Sequence, residues 1–145
     1  MLEDSRIGVI GAGNMGGGLI AGWVSHGGIP AVQIAATDPI AAALEPLAAL
    51  GVKTTDNLAA TVDGCDLVVV AVKPQTAPQL MGALAPLLTT DQLLISIMAG
   101  VTTAAIEQSL GTAVPVVRAM PQMLARLGVA ASAVCAGQTA TPEHL

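Results

Sequence analysis

Ile7-Gly8-Val9-Ile10-Gly11-Ala12-Gly13-Asn14-Met15-Gly16 constrains this chain more than any other segment. A short apolar run ends in G-x-G-x-x-G, and a helical pattern opens directly behind it. Gly11 permits a tight turn out of a strand, Gly13 lets bare backbone approach a phosphate, and Gly16 lets the following helix pack close to the strand. That helix aims its amide-rich end at the same place, which suits the pyrophosphate of a dinucleotide. A glycine pattern alone is weak evidence. Here it has a strand before it, a helix behind it and an acid, Asp38, at the end of the next apolar run.

The remainder alternates between β-rich runs and helical patterns. Strands are expected near 6–10, 32–37, 52–54, 66–72, 93–98, 115–119 and 130–135. The runs from Leu67 to Val72 and from Leu93 to Met98 are continuously apolar, as in a parallel sheet covered on both faces. Helices are expected from about Asn14 to His26, stopped by Gly27-Gly28, and from Pro39 to about Leu50, stopped by Gly51, with Pro46 as a kink. A short helix follows Asp56, a candidate N-cap. Two more cover roughly 75–88 and 102–110, the last capped by Thr102 or Thr103 and closed by Gly111. The alternation implies an α/β fold, a doubly wound (Rossmann), mostly parallel sheet. Residues 1–145 form one domain, without repeat or linker. Gly17 and Gly18, each costing up to ~1 kcal/mol against alanine in a helix, mark either close contact with a ligand or strand, or simple tolerance.

Composition narrows the partners. The chain is 53% hydrophobic and 10% charged, and Trp23 is its one aromatic residue, so the core must be aliphatic. A net charge of -5 offers no basic stripe for nucleic acid. An anionic cofactor must therefore be held by backbone amides and local dipoles. Cys65 and Cys135 have no C-x-x-C partner and no histidine nearby, which suggests two buried thiols in a reducing, cytoplasmic setting. The acidic start Met1-Leu2-Glu3-Asp4-Ser5-Arg6 does not resemble a signal peptide. The run from Leu67 to Val72 is far short of the about 20 residues that span a bilayer, so no membrane role is expected.

Ligands of open α/β sheets lie outside the carboxyl ends of the strands, where the strand order reverses. Gly11 to Gly16, Asp38-Pro39, Lys73-Pro74 and Met98-Ala99-Gly100 should line that crevice. Asp38 could accept hydrogen bonds from adenosine ribose hydroxyls and repel a 2′-phosphate, which favours NADH over NADPH. It could equally open a helix together with Pro39. Lys73 reaches either the ligand or solvent. His26 falls where a cation suits a helix C-terminus, and His144 is expected to be disordered at the chain end. No Ser/His/Asp set, metal cluster or close carboxylate pair is evident, and no catalytic residue is assigned. Hydride chemistry needs little more than orientation, because the cofactor carries the reaction.

Four segments in order resemble the motifs of pyrroline-5-carboxylate reductases: Ile10 to Gly16, Ala71-Val72-Lys73-Pro74-Gln75, Ile95 to Val101, and Val117-Arg118-Ala119-Met120-Pro121. The resemblance runs from about Arg6 to Leu145. It implies reduction of the cyclic imine pyrroline-5-carboxylate, a small-molecule substrate, to L-proline with NADP(H) or NAD(H) as cofactor. It further implies cofactor contacts at Ile10, Gly11, Ala12, Gly13, Asn14 and Met15, at Asp38 and Asn57, at Ala71, Val72, Lys73 and Pro74, and at Ile97, Met98 and Ala99. Asn57 is as well explained as an ordinary helix-start asparagine.

Two departures stand out. The family usually follows Met-Pro with Asn-Thr-Pro-Ala, where this chain reads Gln122-Met123-Leu124-Ala125. Family members are also nearly twice as long, with a C-terminal helical domain that forms the dimer and holds most of the substrate pocket. The ending Thr141-Pro142-Glu143-His144-Leu145 reads as the first turn of a further helix. The expectation is thus an incomplete cofactor domain, a homo-oligomer at full length, that binds dinucleotide weakly and turns over little alone. An apolar surface near Val129 to Val134 would then favour self-association. Two other readings remain: a hydroxyacid-type dehydrogenase domain, and a non-catalytic dinucleotide-binding module.

Overall fold

A computed structural model describes residues 4–122 and 131–145. Its strands are β1 (Ile7–Ile10), β2 (Ile34–Thr37), β3 (Lys53–Thr55), β4 (Leu67–Val70), β5 (Leu93–Ser96), β6 (Val116–Pro121) and β7 (Ser132–Ala136). The helices are α1 (Asn14–Ser25), α2 (Ala41–Ala49), α3 (Leu58–Val62), α4 (Ala77–Leu84) and α5 (Thr103–Leu110). The sheet order is β3-β2-β1-β4-β5-β6-β7. All neighbours run parallel except β6 and β7. The order reverses beside β1, which places a crevice over its carboxyl end.

Successive strand residues point to opposite faces, and both faces are apolar. Ile10, Val68, Val70, Leu94 and Val116 meet Val62, Met81, Leu84, Ile106 and Leu110 on one side. Ile7, Val9, Ile34, Ala36 and Val69 meet Ile20 and Leu47 on the other, with Trp23 packed at its margin. Each fully buried Leu or Ile contributes roughly 1.5–3 kcal/mol by leaving water, so this aliphatic double layer holds the domain. Gln92 is the polar pin within it. Its Nε2 donates to the carbonyls of Val62 and Cys65 at 2.9 and 2.8 Å, and its Oε1 accepts from the Thr89 amide at 2.9 Å.

Several boundaries differ from the expectation. β4 ends at Val70, opposite Ile10 at the end of β1; Ala71 and Val72 continue the apolar run without continuing the strand. α2 opens at Ala41 and runs through Pro46. The segment expected as one helix over 75–88 is a 3-10 turn, Pro74–Thr76, followed by α4. The N-cap of α3 is Asn57 rather than Asp56: its Oδ1 accepts from the Ala60 amide at 3.0 Å. Thr102 caps α5, and Gly111 closes it with φ of 61°.

Two surface expectations are also corrected. Cys65 is buried as expected, but Cys135 is exposed, because β7 is an edge strand with every residue open to solvent. His144 is ordered: its Nδ1 accepts from the Thr141 amide at 2.9 Å within a capping box around the turn Pro142–His144. His26 falls at the C-cap of α1, as expected; it is exposed, and its backbone N–H donates to the Gly22 carbonyl. Val134 is exposed as expected of the apolar patch. Val129, Ala130, Met123, Leu124 and Ala125 lie outside the described residues.

Candidate dinucleotide site

The three motif glycines have three different physical reasons. Gly11 takes φ of 98°, a left-handed conformation, and a Cβ there would lie 2.6 Å from the Ala71 carbonyl oxygen. A Cβ on Gly16 would collide with the Gly11 carbonyl oxygen and stand 3.0 Å from the Ala71 methyl. Those two are required by the fold itself. Gly13 is not: its φ of -67° is open to any residue, and a Cβ there would meet no protein atom within 4 Å. The space beside Gly13 belongs instead to a large cavity. Gly17 lies against the Ala12 carbonyl, where a Cβ would come to 2.9 Å, so packing on the crossover explains it.

The same crossover starts α1 without a side-chain cap and with no acid in its first turn. By contrast, α3 and α5 are capped by Asn57 and Thr102. The opening amides of any helix lack intrahelical partners, and here no side chain caps them at the mouth of the cavity. An anion fits there, because it would satisfy those N–H groups and the positive end of the helix dipole together.

The cavity encloses about 620 Å³ and lies over the carboxyl ends of β1, β2, β3 and β4. Of the expected site residues it brings together Ile10, Gly11, Gly13, Asp38, Ala71, Val72 and Lys73. Ala12, Asn14, Met15, Gly16 and Asn57 border the crossover or cap a helix without lining the cavity. Pro74 lines a separate hollow of about 200 Å³ between α4 and α5, which also takes in Gly100 and Val101. The segment after β5 therefore does not share the large cavity. Met98 is 1% exposed and belongs to the core, so only its backbone could face a ligand. Ile97 is partly buried and Ala99 exposed, beyond the end of β5. The carboxyl end of β3, not that of β5, completes the wall, through Asp56 and Leu58. Ile40, Leu80 and Ala83 add an apolar lining that motif reading did not reach. Ile40 is 64% exposed at that wall.

Asp38 is the electrostatic hinge of the site. Its Oδ2 accepts from the Ala12 amide and its Oδ1 from the Ile40 amide, both at 2.8 Å. It thereby ties the glycine-rich crossover to the loop after β2. It does not cap α2, whose N-cap is Ile40. Lys73 is exposed at the cavity wall, and its carbonyl accepts from the Thr76 hydroxyl at 2.8 Å. Among the described residues no group of three or more His, Cys, Asp or Glu could hold a metal ion. Nor is any helix among them long and apolar enough to cross a membrane.

A doubly wound sheet, reversed at β1 and crossed there by bare glycine backbone, defines a Rossmann-type α/β domain. Residues 6–100 match the family described as NADP oxidoreductase, coenzyme F420-dependent, and the chain belongs to that family. Curated relatives include the pyrroline-5-carboxylate reductase of Methanosarcina acetivorans, 38% identical over 145 residues, covering 99% of this chain and 54% of the relative. The pyrroline-5-carboxylate reductase of Pseudomonas aeruginosa is 42% identical over 136 residues, 93% of this chain and 50% of that one. The solved pyrroline-5-carboxylate reductase of Coxiella burnetii superposes with a TM-score of 0.89 at 33% identity, over 96% of this chain and 52% of that chain. The Plasmodium falciparum pyrroline carboxylate reductase, solved with NADP bound, shares the fold with a TM-score of 0.84 at 23% identity, over 98% of this chain and 52% of its own. The chain spans about half the length of these relatives.

Proposed function

We propose that this chain supplies the coenzyme-binding half of a pyrroline-5-carboxylate reductase, which reduces the cyclic imine to L-proline with NAD(P)H. The observation that carries the reading is Gly13: a glycine that neither conformation nor packing requires, opening onto the cavity beside an uncapped helix. The four reductase-like segments and the relatives at 33–42% identity support the choice of substrate.

In this reading the first-turn amides of α1 and the backbone of Gly13 hold the pyrophosphate. Asp38 faces the adenosine ribose, and Ile40, Leu58 and Leu80 give the adenine an apolar wall. The backbone of Ile97, Met98 and Ala99, past the end of β5 and outside the large cavity, takes the nicotinamide end. A bound reduced nicotinamide supplies the hydride. The carbon of an imine already protonated on nitrogen accepts it without a strong acid from the protein, so the chain's own work is binding and orientation. That agrees with a site whose charged lining, among the described residues, is confined to Asp38, Asp56 and Lys73.

A chimera tests the proposal. Residues 1–145 replace the matching half of the Methanosarcina acetivorans relative, and oxidation of NADH and NADPH is followed with and without pyrroline-5-carboxylate. Coenzyme consumption that depends on the imine and yields proline is expected. A chimera that binds coenzyme yet leaves the imine untouched would refute the substrate assignment.

A further inference from the structure

We propose that the cavity wall over β2 and β3 selects NADH against NADPH, with Asp38 as the specificity-determining residue and Asp56 reinforcing it. The inference rests on the reading that the cavity takes a dinucleotide.

The geometry of Asp38 carries it. In Rossmann folds an acid at this place binds the ribose hydroxyls, whereas a 2′-phosphate needs a cation nearby. Asp38 already accepts one backbone amide on each oxygen. A carboxylate has about four acceptor positions, so each oxygen keeps room for one hydroxyl donor. A phosphate monoester donates little and brings about -1.5 to -2 charges at neutral pH. The carboxylate cannot swing aside to admit it. Moving would leave the amide of Ala12, a residue only 5% exposed, without its partner, and hydrogen bonds to an ionised acceptor are the strong ones.

Nothing else among the described residues of that wall welcomes a second anion. Pro39 has no N–H, and the N–H of Ile40 is already given to Asp38. The Ile40 side chain is apolar and exposed. Asp56 adds a second negative charge to the same lining. Among the described residues Lys73 is the one cation in that lining, and it follows β4, on the far side of β1 from β2. Lys53 lies two residues back from the carboxyl end of β3 and does not line the cavity. Asn57 spends its carbonyl on the cap of α3 and is likewise outside the lining.

Titration of the 145-residue chain with NADH and with NADPH, read by nicotinamide fluorescence, tests the inference. NADH should bind at least about tenfold tighter, a preference of the size that one close like-charge pair imposes. Asp38→Asn keeps an oxygen for one amide but loses the charge, and should bring the two affinities within about threefold, chiefly by improving NADPH. Because that variant could lose fold stability, Asp56→Asn, at an exposed position, provides a second reading: the ratio should move the same way by a smaller factor. Equal or tighter binding of NADPH by the unmodified chain would overturn the proposal. So would a ratio that neither variant changes. Failure to bind either coenzyme would overturn the dinucleotide reading itself.

Discussion

Replacing Gly13 should separate coenzyme binding from folding more cleanly than any other change. The backbone at Gly13 is extended, and a methyl group there meets open space. Alanine at a compatible glycine position stabilises by about 0.4–1 kcal/mol, because the unfolded chain loses freedom. For a domain of this size that is a rise of about 2 °C in Tm. The same methyl projects toward the approach of the phosphates. Losing even one amide bond to a charged oxygen costs about 1.5–3 kcal/mol, so affinity should fall at least about tenfold. Gly11→Ala makes the opposite comparison. It combines a left-handed residue, costing of order 1–3 kcal/mol, with a contact 2.6 Å from the Ala71 carbonyl. Its Tm should drop by about 10 °C. Differential scanning calorimetry and NADH titration on both variants decide the matter. A Gly13→Ala protein that melts as early as Gly11→Ala, or binds NADH as well as the parent, would refute the reasoning.

The remaining predictions concern other parts of the fold. Gln92→Leu strands two buried carbonyls, removes the acceptor of the part-buried Thr89 amide and should destabilise by about 3 kcal/mol in denaturant titration. Burial pushes the Cys65 thiol above its ordinary value of 9.0, so the folded chain keeps its proton where the unfolded chain loses it. That contribution is present below pH about 9.0 and declines above it, and Cys65→Ala should flatten the alkaline limb of a stability–pH curve. In native thiol titration Cys135 should react fast and Cys65 slowly. Glu107→Ala removes the acceptor for the amide and hydroxyl of Thr139, at 2.9 and 2.8 Å, and amide exchange should accelerate from Gly137 to Thr141. Asn57→Asp preserves the cap of α3 and should leave Tm within about 2 °C, whereas Asn57→Ala should cost about 1 kcal/mol.

The architecture was legible because its signals are local. Apolar runs bounded by glycine and proline mark the strands, and Ile7 to Gly16 specifies the crossover without help from distant residues. What escaped depends on contacts that sequence spacing does not encode. Ala71 and Val72 extend the apolar run past the end of β4 and line the cavity, so hydrophobicity there marks a cavity wall rather than a strand. Asp56 and Asn57 are both good cap residues, and only the path out of β3 decides between them. Cys135 looks like a core thiol in composition, but nothing among the described residues covers β7. The double duty of Asp38 was only half visible. An acid after the second strand was read from the pattern, whereas its bond to Ala12 joins residues 26 positions apart.

The central claim is that bare amides at the first crossover receive a diphosphate. It is tested most directly by following each backbone amide by two-dimensional NMR during titration with NADH. The account predicts the largest shifts at Gly13, Asn14 and Met15, with smaller ones at Asp38 and from Ala71 to Lys73. Unchanged signals at those amides, or shifts confined to the hollow around Gly100 to Ala105, would contradict it.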